Sequence, residues 1–226
     1  MIIVFDLDDT LYEEITYVKS GFMAVASFLA LEHDINKSTL FRDFNRDLEK
    51  NPRGNTFDRV LKNYNIFTKT LVKKCLSVYR LHEPVIAIHP EAQICLNRFK
   101  RQAKYIVTDG NKIVQSKKIT HLCIAPLFKK VFITHRYGIK NSKPSTYCFR
   151  RIIKMEKSRP ENLVYIGDNP NKDFVNLKKE GFKTIRVRTG HYKDLSLTDD
   201  FEAHLTINAL DELNKELLRE LASIKE

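Results

Sequence analysis

Residues 2–10 read IIVFDLDDT, and this stretch decides the fold. Its four leading apolar residues predict a short strand that is buried on both faces, because such a strand shows a continuous apolar run. Asp6 and Asp8 follow at once. The strand is therefore expected to carry carboxylates at its C-terminal end.

Strand-like and helix-like segments alternate from residue 89 onward. The strand-like segments are 104–108 (KYIVT), 131–134 (VFIT), 163–167 (LVYIG) and 183–187 (KTIRV). The helix-like segments are 90–101, 112–122, 145–157, 171–180 and 208–222. This alternation predicts a parallel sheet with helices on both faces, an α/β fold of the doubly wound, Rossmann-like type.

A block without strand signals separates the first strand from the alternating region. Apolar residues recur there at helical spacing, and Ser38 is the expected N-cap of the second helix. The four predicted helices are 15–31, 38–48, 56–64 and 68–81. The chain is therefore expected to form an α/β core domain from residues 1–13 and 87–226, with residues 14–86 inserted as a helical cap domain.

The net charge of +11 raises the question of a nucleic-acid partner. The lysines lie in short scattered clusters, and the sequence shows no recognition helix, base-stacking motif or polybasic arm. No nucleic-acid partner is expected. The charge is typical of a solvated lysine-rich surface, and it would also speed the encounter with an anionic substrate.

The cysteines and the N-terminus indicate a cellular location. The four cysteines lack C-x-x-C spacing and lie in apolar runs, so they are expected to be interior, reduced thiols; they are Cys75, Cys95, Cys123 and Cys148. The N-terminus lacks a signal-peptide core, and no stretch is expected to be long enough to cross a bilayer. The sequence predicts a cytoplasmic monomer or homodimer without a membrane partner.

Acidic residues gather at the predicted C-terminal ends of the strands, where ligands bind in open sheets of this kind. Asp6 and Asp8 follow the first strand, and Asp168 and Asp173 follow the LVYIG strand. Four carboxylates at one edge repel each other unless a cation lies among them. Oxygen ligands favour a hard ion, so these acids predict a Mg²⁺ site.

Another strand end and a later loop supply groups that bind an anion. Thr108 and the backbone amides of Asp109 and Gly110 predict a small anion cradle at the start of a helix. Lys143 adds a cation, and the proline that follows it restricts its loop. A carboxylate beside Mg²⁺ and such a cradle indicates covalent phosphoryl transfer, with Asp6 as the nucleophile.

These motifs as a set resemble those of the haloacid dehalogenase (HAD) superfamily. The matching segments, in family order, are DLDDT at 6–10, a strand ending in Thr108, Lys143-Pro144 and GDNPNKD at 167–173. The resemblance covers residues 1–12 and about 89–190, and it implies a Mg²⁺-dependent phosphatase. The roles that it implies are nucleophile for Asp6, general acid and base for Asp8, phosphate binding for Thr108 and Lys143, and metal binding for Asp6, the main-chain oxygen of Asp8, Asp168 and Asp173. Asp109 departs from the family pattern, since many relatives carry Asn there.

The position of the helical block resembles the subgroup whose cap follows the first motif. This resemblance implies a small phosphorylated metabolite as substrate, namely a sugar, polyol or amino-alcohol phosphate. Arg53 is a candidate for binding a second anionic group, and Glu13 or Glu14 for binding a hydroxyl or ammonium group.

Other functions stay open from the sequence. They are a nucleoside monophosphate phosphatase, a sugar phosphomutase and a non-catalytic module that binds a phosphometabolite. A dehalogenase is disfavoured because Asp8 and Thr10 fit the phosphatase pattern. A binding module would be expected to have lost Asp6 or Asp8, and both are present.

Overall fold

The computed structural model describes residues 1–52 and 54–224. Within these ranges a six-stranded sheet has the order β3-β2-β1-β4-β5-β6, and every neighbouring pair is parallel. The strands are β1 (Ile2–Phe5), β2 (Lys104–Thr108), β3 (Lys130–Ile133), β4 (Leu163–Gly167), β5 (Lys183–Val187) and β6 (Leu205–Ile207). The predicted α/β class is confirmed. The sequence pattern did not predict β6, because three residues are too short a run to show periodicity.

Most helices form in the segments where the spacing of apolar residues predicts them. They are α1 (Glu14–His33), α2 (Lys37–Lys50), α3 (Thr56–Asn63), α4 (Lys69–Leu81), α5 (Pro90–Arg98), α6 (Lys112–His121), α7 (Tyr147–Glu156), α8 (Val175–Lys179) and α9 (Lys215–Ser223). Three details of the prediction were wrong. The N-cap of α2 is Asn36, not Ser38, and the predicted helix 171–180 forms only α8. The predicted helix 208–222 is divided into a 3₁₀ turn and α9, because Asn214 caps a new helix with its side chain.

Both faces of the sheet are covered. Ile2 and Val4 of β1 belong to a buried cluster that includes Phe149 of α7. Side chains alternate between the two faces of a strand, so Ile3 and Phe5 point to the opposite face, where they are also fully buried. Because both faces of the sheet are buried, every residue of β1 is apolar.

The chain divides into two compact units. The sheet unit comprises Met1–Glu14 and Ala87–Glu226, and the helical unit comprises Ile15–Ile86. The helical unit has its own apolar core, in which Phe22, Phe44 and Phe57 contact one another at ring-centroid distances of 5.4 to 6.0 Å. All the predicted site residues that the structure describes lie in the sheet unit.

Helix α1 corrects the prediction that no segment is long enough to cross a bilayer. This 20-residue helix is long and apolar enough for that by length and composition. Val25, Ala26 and Leu29 of this helix are nevertheless fully buried in the core of the helical unit. Such a core helix passes the same test as a membrane span, so the finding is weak evidence for a membrane.

One of the four cysteines is not interior. Cys75, Cys95 and Cys148 are buried free thiols, as predicted, but Cys123 is exposed. Cys123 follows the C-terminal end of α6 and has a positive φ of 53°. The turn that ends the helix therefore directs this residue outward, although its sequence neighbours are apolar.

Candidate active site

The topology brings three strand ends together at the centre of the sheet. β1 lies between β2 and β4, so the segments that begin at Asp6, Asp109 and Asp168 leave the sheet side by side. The Asp6 backbone N–H donates to the Ile166 carbonyl at 2.8 Å, which extends the pairing of β1 with β4 by one residue. Parallel strands place their carboxyl ends at one edge, and a ligand site is expected there.

Three of the acids form a compact cluster. One carboxylate oxygen from each of Asp6, Asp168 and Asp173 lies within 4.8 Å of the other two, and all three residues are buried. Burial raises the pKa of Asp6 to about 7. Burial and the charge of Asp173 raise the pKa of Asp168 well above its usual value. Because three buried carboxylates repel each other and offer only oxygen ligands, this cluster fits a hard divalent cation such as Mg²⁺.

Lys143 connects this cluster to the loop after β3. Its ammonium lies 2.6 Å from Asp6 Oδ2 and 2.8 Å from Asp173 Oδ1, and it donates to the Tyr165 hydroxyl at 2.8 Å. The Lys143 side chain is 1% exposed. Its pKa stays well above the usual value despite burial, because Asp173 and Asp6 stabilise the charged form.

The loop after β4 is shaped around Asp173. A Cβ atom at Gly167 would lie 2.5 Å from Asp173 Oδ2, so only glycine permits this approach. Asp173 Oδ2 also accepts a hydrogen bond from the Asn169 backbone N–H at 3.0 Å. These contacts fold the GDNPNKD segment back on itself and bring its second acid to the cluster.

Asp8 occupies a different environment from the other three acids. Its Oδ1 accepts from Lys118 Nζ and from the Tyr12 hydroxyl, both at 2.6 Å, and its Oδ2 accepts from Gln115 Nε2 at 2.8 Å. Burial alone would raise the pKa of Asp8, but Lys118 and these hydrogen bonds together lower it. The Asp8 carboxylate is therefore directed toward α6, and three of the four acids share the cluster.

The residues of the predicted anion cradle lie at the end of β2, and Asp109 connects them to Lys143. Thr108 is fully buried at the end of β2, and Gly110 has a φ of 132°, which a side chain would disfavour. Asp109 Oδ1 accepts from Thr134 Oγ1 at 2.6 Å and from the Lys143 backbone N–H at 3.1 Å. Asp109 thus connects the loops after β2 and β3.

Sequence reasoning missed several residues of this site. Lys172, whose ammonium lies 3.5 Å from Asp109 Oδ2, adds a second cation near Asp6. Lys118 looked like part of a surface lysine cluster, yet its side chain is 3% exposed. The spacing of Gln115 and Lys118 by three residues, directly after the Thr108 motif, is the signal that could have found them. Arg53 lies outside the described residues.

Comparison with known proteins places this chain in a family. A family model described as haloacid dehalogenase-like hydrolase matches residues 3–187. A relative from Methanocaldococcus jannaschii, named glyceraldehyde 3-phosphate phosphatase, is 30% identical over 93% of this chain and 94% of its own length. A Thermus thermophilus protein named phosphoserine phosphatase is 30% identical over 46% of this chain and 41% of its own length.

Solved structures share the fold. A 2-haloacid dehalogenase from Pseudomonas syringae pv. Tomato superposes with a TM-score of 0.66 at 21% identity. The match covers 97% of this chain and 100% of that one. At this identity the similarity establishes the architecture and does not assign a reaction.

Proposed function

The chain belongs to the haloacid dehalogenase-like hydrolase family and is a phosphatase, and on that premise we propose that it hydrolyses phosphate monoesters of small metabolites through an aspartyl-phosphate on Asp6, with Mg²⁺ as cofactor. The observation that carries this proposal is the buried contact of Asp6 with Lys143 beside Asp168 and Asp173. A nucleophilic carboxylate, a fixed cation and a set of metal-binding oxygens are the groups that phosphoryl transfer to a protein acid requires.

Asp6, Asp168 and Asp173 would hold the cation. When bound, Mg²⁺ would supply positive charge that offsets the charge of the three acids and of the phosphoryl group. Lys143 is placed to stabilise charge on the phosphoryl oxygens, because its ammonium already contacts Asp6 and Asp173. Thr108 and the amides of the cradle are placed to donate to the same oxygens.

The proposed reaction has two halves. In the first, a carboxylate oxygen of Asp6 attacks phosphorus and the bond from phosphorus to the ester oxygen breaks. Asp8, which enters this half in its less populated protonated form, gives its proton to the leaving oxygen. In the second, Asp8 takes a proton from water, the water oxygen attacks phosphorus, and the acyl–phosphate bond of Asp6 breaks to release inorganic phosphate. Asp6 is then a carboxylate again, and Asp8 again carries the proton that it gave in the first half.

The substrate class proposed is a small phosphorylated sugar, polyol or amino alcohol. The names of the two phosphatase relatives, which refer to glyceraldehyde 3-phosphate and phosphoserine, support this class. The charges around Asp8 support it too. Glu14 lies close enough to Asp8 and to Asp9 for their charges to interact, and Lys118 contacts both Asp8 and Glu14. This surplus of negative charge favours leaving groups that carry hydroxyl or ammonium groups.

Turnover of a substrate panel tests the proposal. The purified protein is assayed with p-nitrophenyl phosphate, triose phosphates, polyol phosphates, phosphoserine and nucleoside monophosphates, with Mg²⁺ and with EDTA. We expect Mg²⁺-dependent release of phosphate, with the highest kcat/KM for a small polyol-type ester. Acid-quenched protein should carry one phosphoryl group on the peptide that contains Asp6.

Each alternative has its own outcome in this assay. No turnover of any ester with Mg²⁺ would favour a binding module and overturn the proposal. Formation of an isomeric phosphate ester without phosphate release would indicate a phosphomutase. A best substrate among the nucleoside monophosphates would replace the substrate class and keep the reaction.

The role of the helical unit and the state of the protein in the cell complete the proposal. We propose that residues 14–86 act as the cap that selects the leaving group, as the sequence predicts. A cytoplasmic location and a monomeric or homodimeric state also stay predictions, which cell fractionation and light scattering would test.

A further inference from the structure

The Asp8 carboxylate is held on both oxygens by side chains that the proposed reaction does not use. Lys118 and Tyr12 bind Oδ1, and Gln115 binds Oδ2, at distances between 2.6 and 2.8 Å. The three holding residues are almost fully buried. Water therefore competes poorly for the carboxylate, and its orientation is set by these neighbours.

Gln115 connects Asp8 to the phosphate cradle. A carboxylate is only an acceptor, so the nitrogen end of the Gln115 amide must face Asp8. The same Nε2 atom donates to Thr108 Oγ1 at 2.7 Å, which uses its second hydrogen. Thr108 Oγ1 thus accepts from Gln115, and its own proton is available for an acceptor in the site. The Asp109 carbonyl oxygen lies 3.5 Å from Thr108 Oγ1, which is the limiting distance for a hydrogen bond.

Lys118 connects Asp8 to the first residue of α1. Its ammonium lies 2.6 Å from Asp8 Oδ1 and 3.2 Å from Glu14 Oε1. A buried ammonium is costly unless it is paired, so Lys118 holds both carboxylates in a defined place. Gln115 and Lys118 are three residues apart and lie on the same face of α6. The helix that starts after the cradle thus supports both the cradle and the acid/base residue.

We propose that Gln115 and Lys118 are positioning residues: Gln115 orients Thr108 as a donor to the phosphoryl group, and Lys118 fixes Asp8 for proton transfer to the leaving group and from water. This inference rests on the proposed function. Neither residue is proposed to contact phosphorus or the leaving oxygen, so each acts through the side chain that it holds.

The two roles predict different kinetic defects. Proton transfer matters for an alkyl phosphate, whose alkoxide leaves poorly, and matters little for p-nitrophenyl phosphate, whose leaving group is stable as an anion. Loss of Lys118 should therefore reduce kcat for the alkyl ester and spare the aryl ester. Loss of Gln115 should weaken the binding of any phosphate, because every substrate shares the phosphoryl group.

The experiment compares Lys118→Met, Lys118→Arg, Gln115→Leu and the control Lys112→Met, which removes an exposed lysine from the same helix. Each variant is assayed with glycerol phosphate and p-nitrophenyl phosphate, and inorganic phosphate is measured as an inhibitor. For Lys118→Met we expect kcat for glycerol phosphate to fall about 10- to 100-fold, with a change below about threefold for the aryl ester. Lys118→Arg should restore part of the loss. Gln115→Leu should weaken phosphate inhibition about 3- to 10-fold, and Lys112→Met should behave as wild type.

The outcomes separate the two proposals. If wild type hydrolyses none of the esters in the substrate panel with Mg²⁺, the proposed function fails. If wild type is active and Lys118→Met lowers kcat equally for both esters, or lowers it for neither, the positioning role of Lys118 is overturned. Unchanged phosphate inhibition in Gln115→Leu overturns the role of Gln115. Thermal melts check folding. If Lys118→Met does not fold, Lys118→Gln, which keeps uncharged N–H donors, must show the same difference between the esters or the inference falls.

Discussion

Lys143 Nζ lies 2.6 Å from Asp6 Oδ2, although 137 positions separate the two residues in the chain. Their side chains are 1% and 6% exposed, so this ion pair is shielded from water. The cation and the proposed nucleophile are thus in place before a substrate arrives. Preorganised charge of this kind is worth more in a buried site than in solvent.

We expect Asp6→Asn to abolish turnover and to leave the fold intact. The amide cannot form an aspartyl-phosphate, and loss of a nucleophile lowers kcat by more than about a thousandfold. The fold should survive, because the substitution removes one of three clustered negative charges. Steady-state kinetics and circular dichroism measure the two effects. Activity within tenfold of wild type would rule out Asp6 as the nucleophile.

Stability without Mg²⁺ should fall as the pH rises toward about 7. Burial raises the pKa of Asp6 to about 7, whereas an unfolded aspartate has a pKa of about 3.9. Between these values the folded state holds a proton that the unfolded chain has released. This proton contributes to the free energy of unfolding. Its contribution is fully present below the pKa of the unfolded aspartate, and it is lost as the pH rises through the pKa of Asp6 in the folded protein.

Mg²⁺ should reverse this loss, because it competes with protons for the same oxygens. We expect the increase in Tm caused by Mg²⁺ to be larger at pH 7.5 than at pH 5. Calorimetry of wild type and Asp6→Asn across this range measures it, and the variant should show a flatter pH dependence without metal. An equal or larger Mg²⁺ effect at pH 5 would argue against metal binding by these acids.

Asp109→Asn and Lys172→Met should change phosphate affinity in opposite directions. Asp109 places a negative charge beside Lys172, so Asn should leave the lysine freer to attract phosphate and keep an acceptor for Thr134. Since the ion pair of Asp109 and Lys172 is partly exposed, we expect Asp109→Asn to lower the inhibition constant of inorganic phosphate by only about two- to fivefold. Lys172→Met should raise this inhibition constant by a similar factor. Changes of the same sign in both variants would contradict this arrangement.

Gly190→Ala should destabilise the protein more than Gly138→Ala. Both glycines have positive φ values, 61° and 97°, so both substitutions introduce backbone strain. A Cβ at Gly190 would also lie 2.1 Å from Asp9 Cγ, whereas nothing lies within 4 Å of one at Gly138. We expect Gly190→Ala to lower the free energy of unfolding by about 1–3 kcal/mol more than Gly138→Ala does. Urea unfolding of the two variants measures the difference, and equal losses would show that the loop moves without cost.

Cys123 should be the cysteine that reacts first with a thiol reagent in the folded protein. It is exposed, whereas the other three cysteines are buried. Burial raises the pKa of Cys75 and Cys148 to about 11 and that of Cys95 to about 12. The reactive thiolate is therefore scarce at these three sites at pH 8. Iodoacetamide labelling followed by peptide mass spectrometry should give one rapid modification, and Cys123→Ser should remove it.

The sequence by itself determined the sheet and the convergence of the acids. Runs such as residues 2–5 are apolar because both faces of a parallel sheet are covered, and parallel strands place their carboxyl ends at one edge. Asp6, Asp168 and Lys143 could be assigned to one site on this ground, because the rule needs only the order of the elements.

Only the tertiary structure decided how individual side chains are paired at that edge. Asp8 follows Asp6 by two residues, yet its carboxylate turns to Lys118, which lies 110 positions away. Asp109 connects two loops through Thr134, and Cys123 is turned outward by the end of a helix. Such pairings depend on distances of a few ångströms between segments far apart in the chain. Local periodicity reflects the burial of a face, and it carries no information about which partner a polar group meets there.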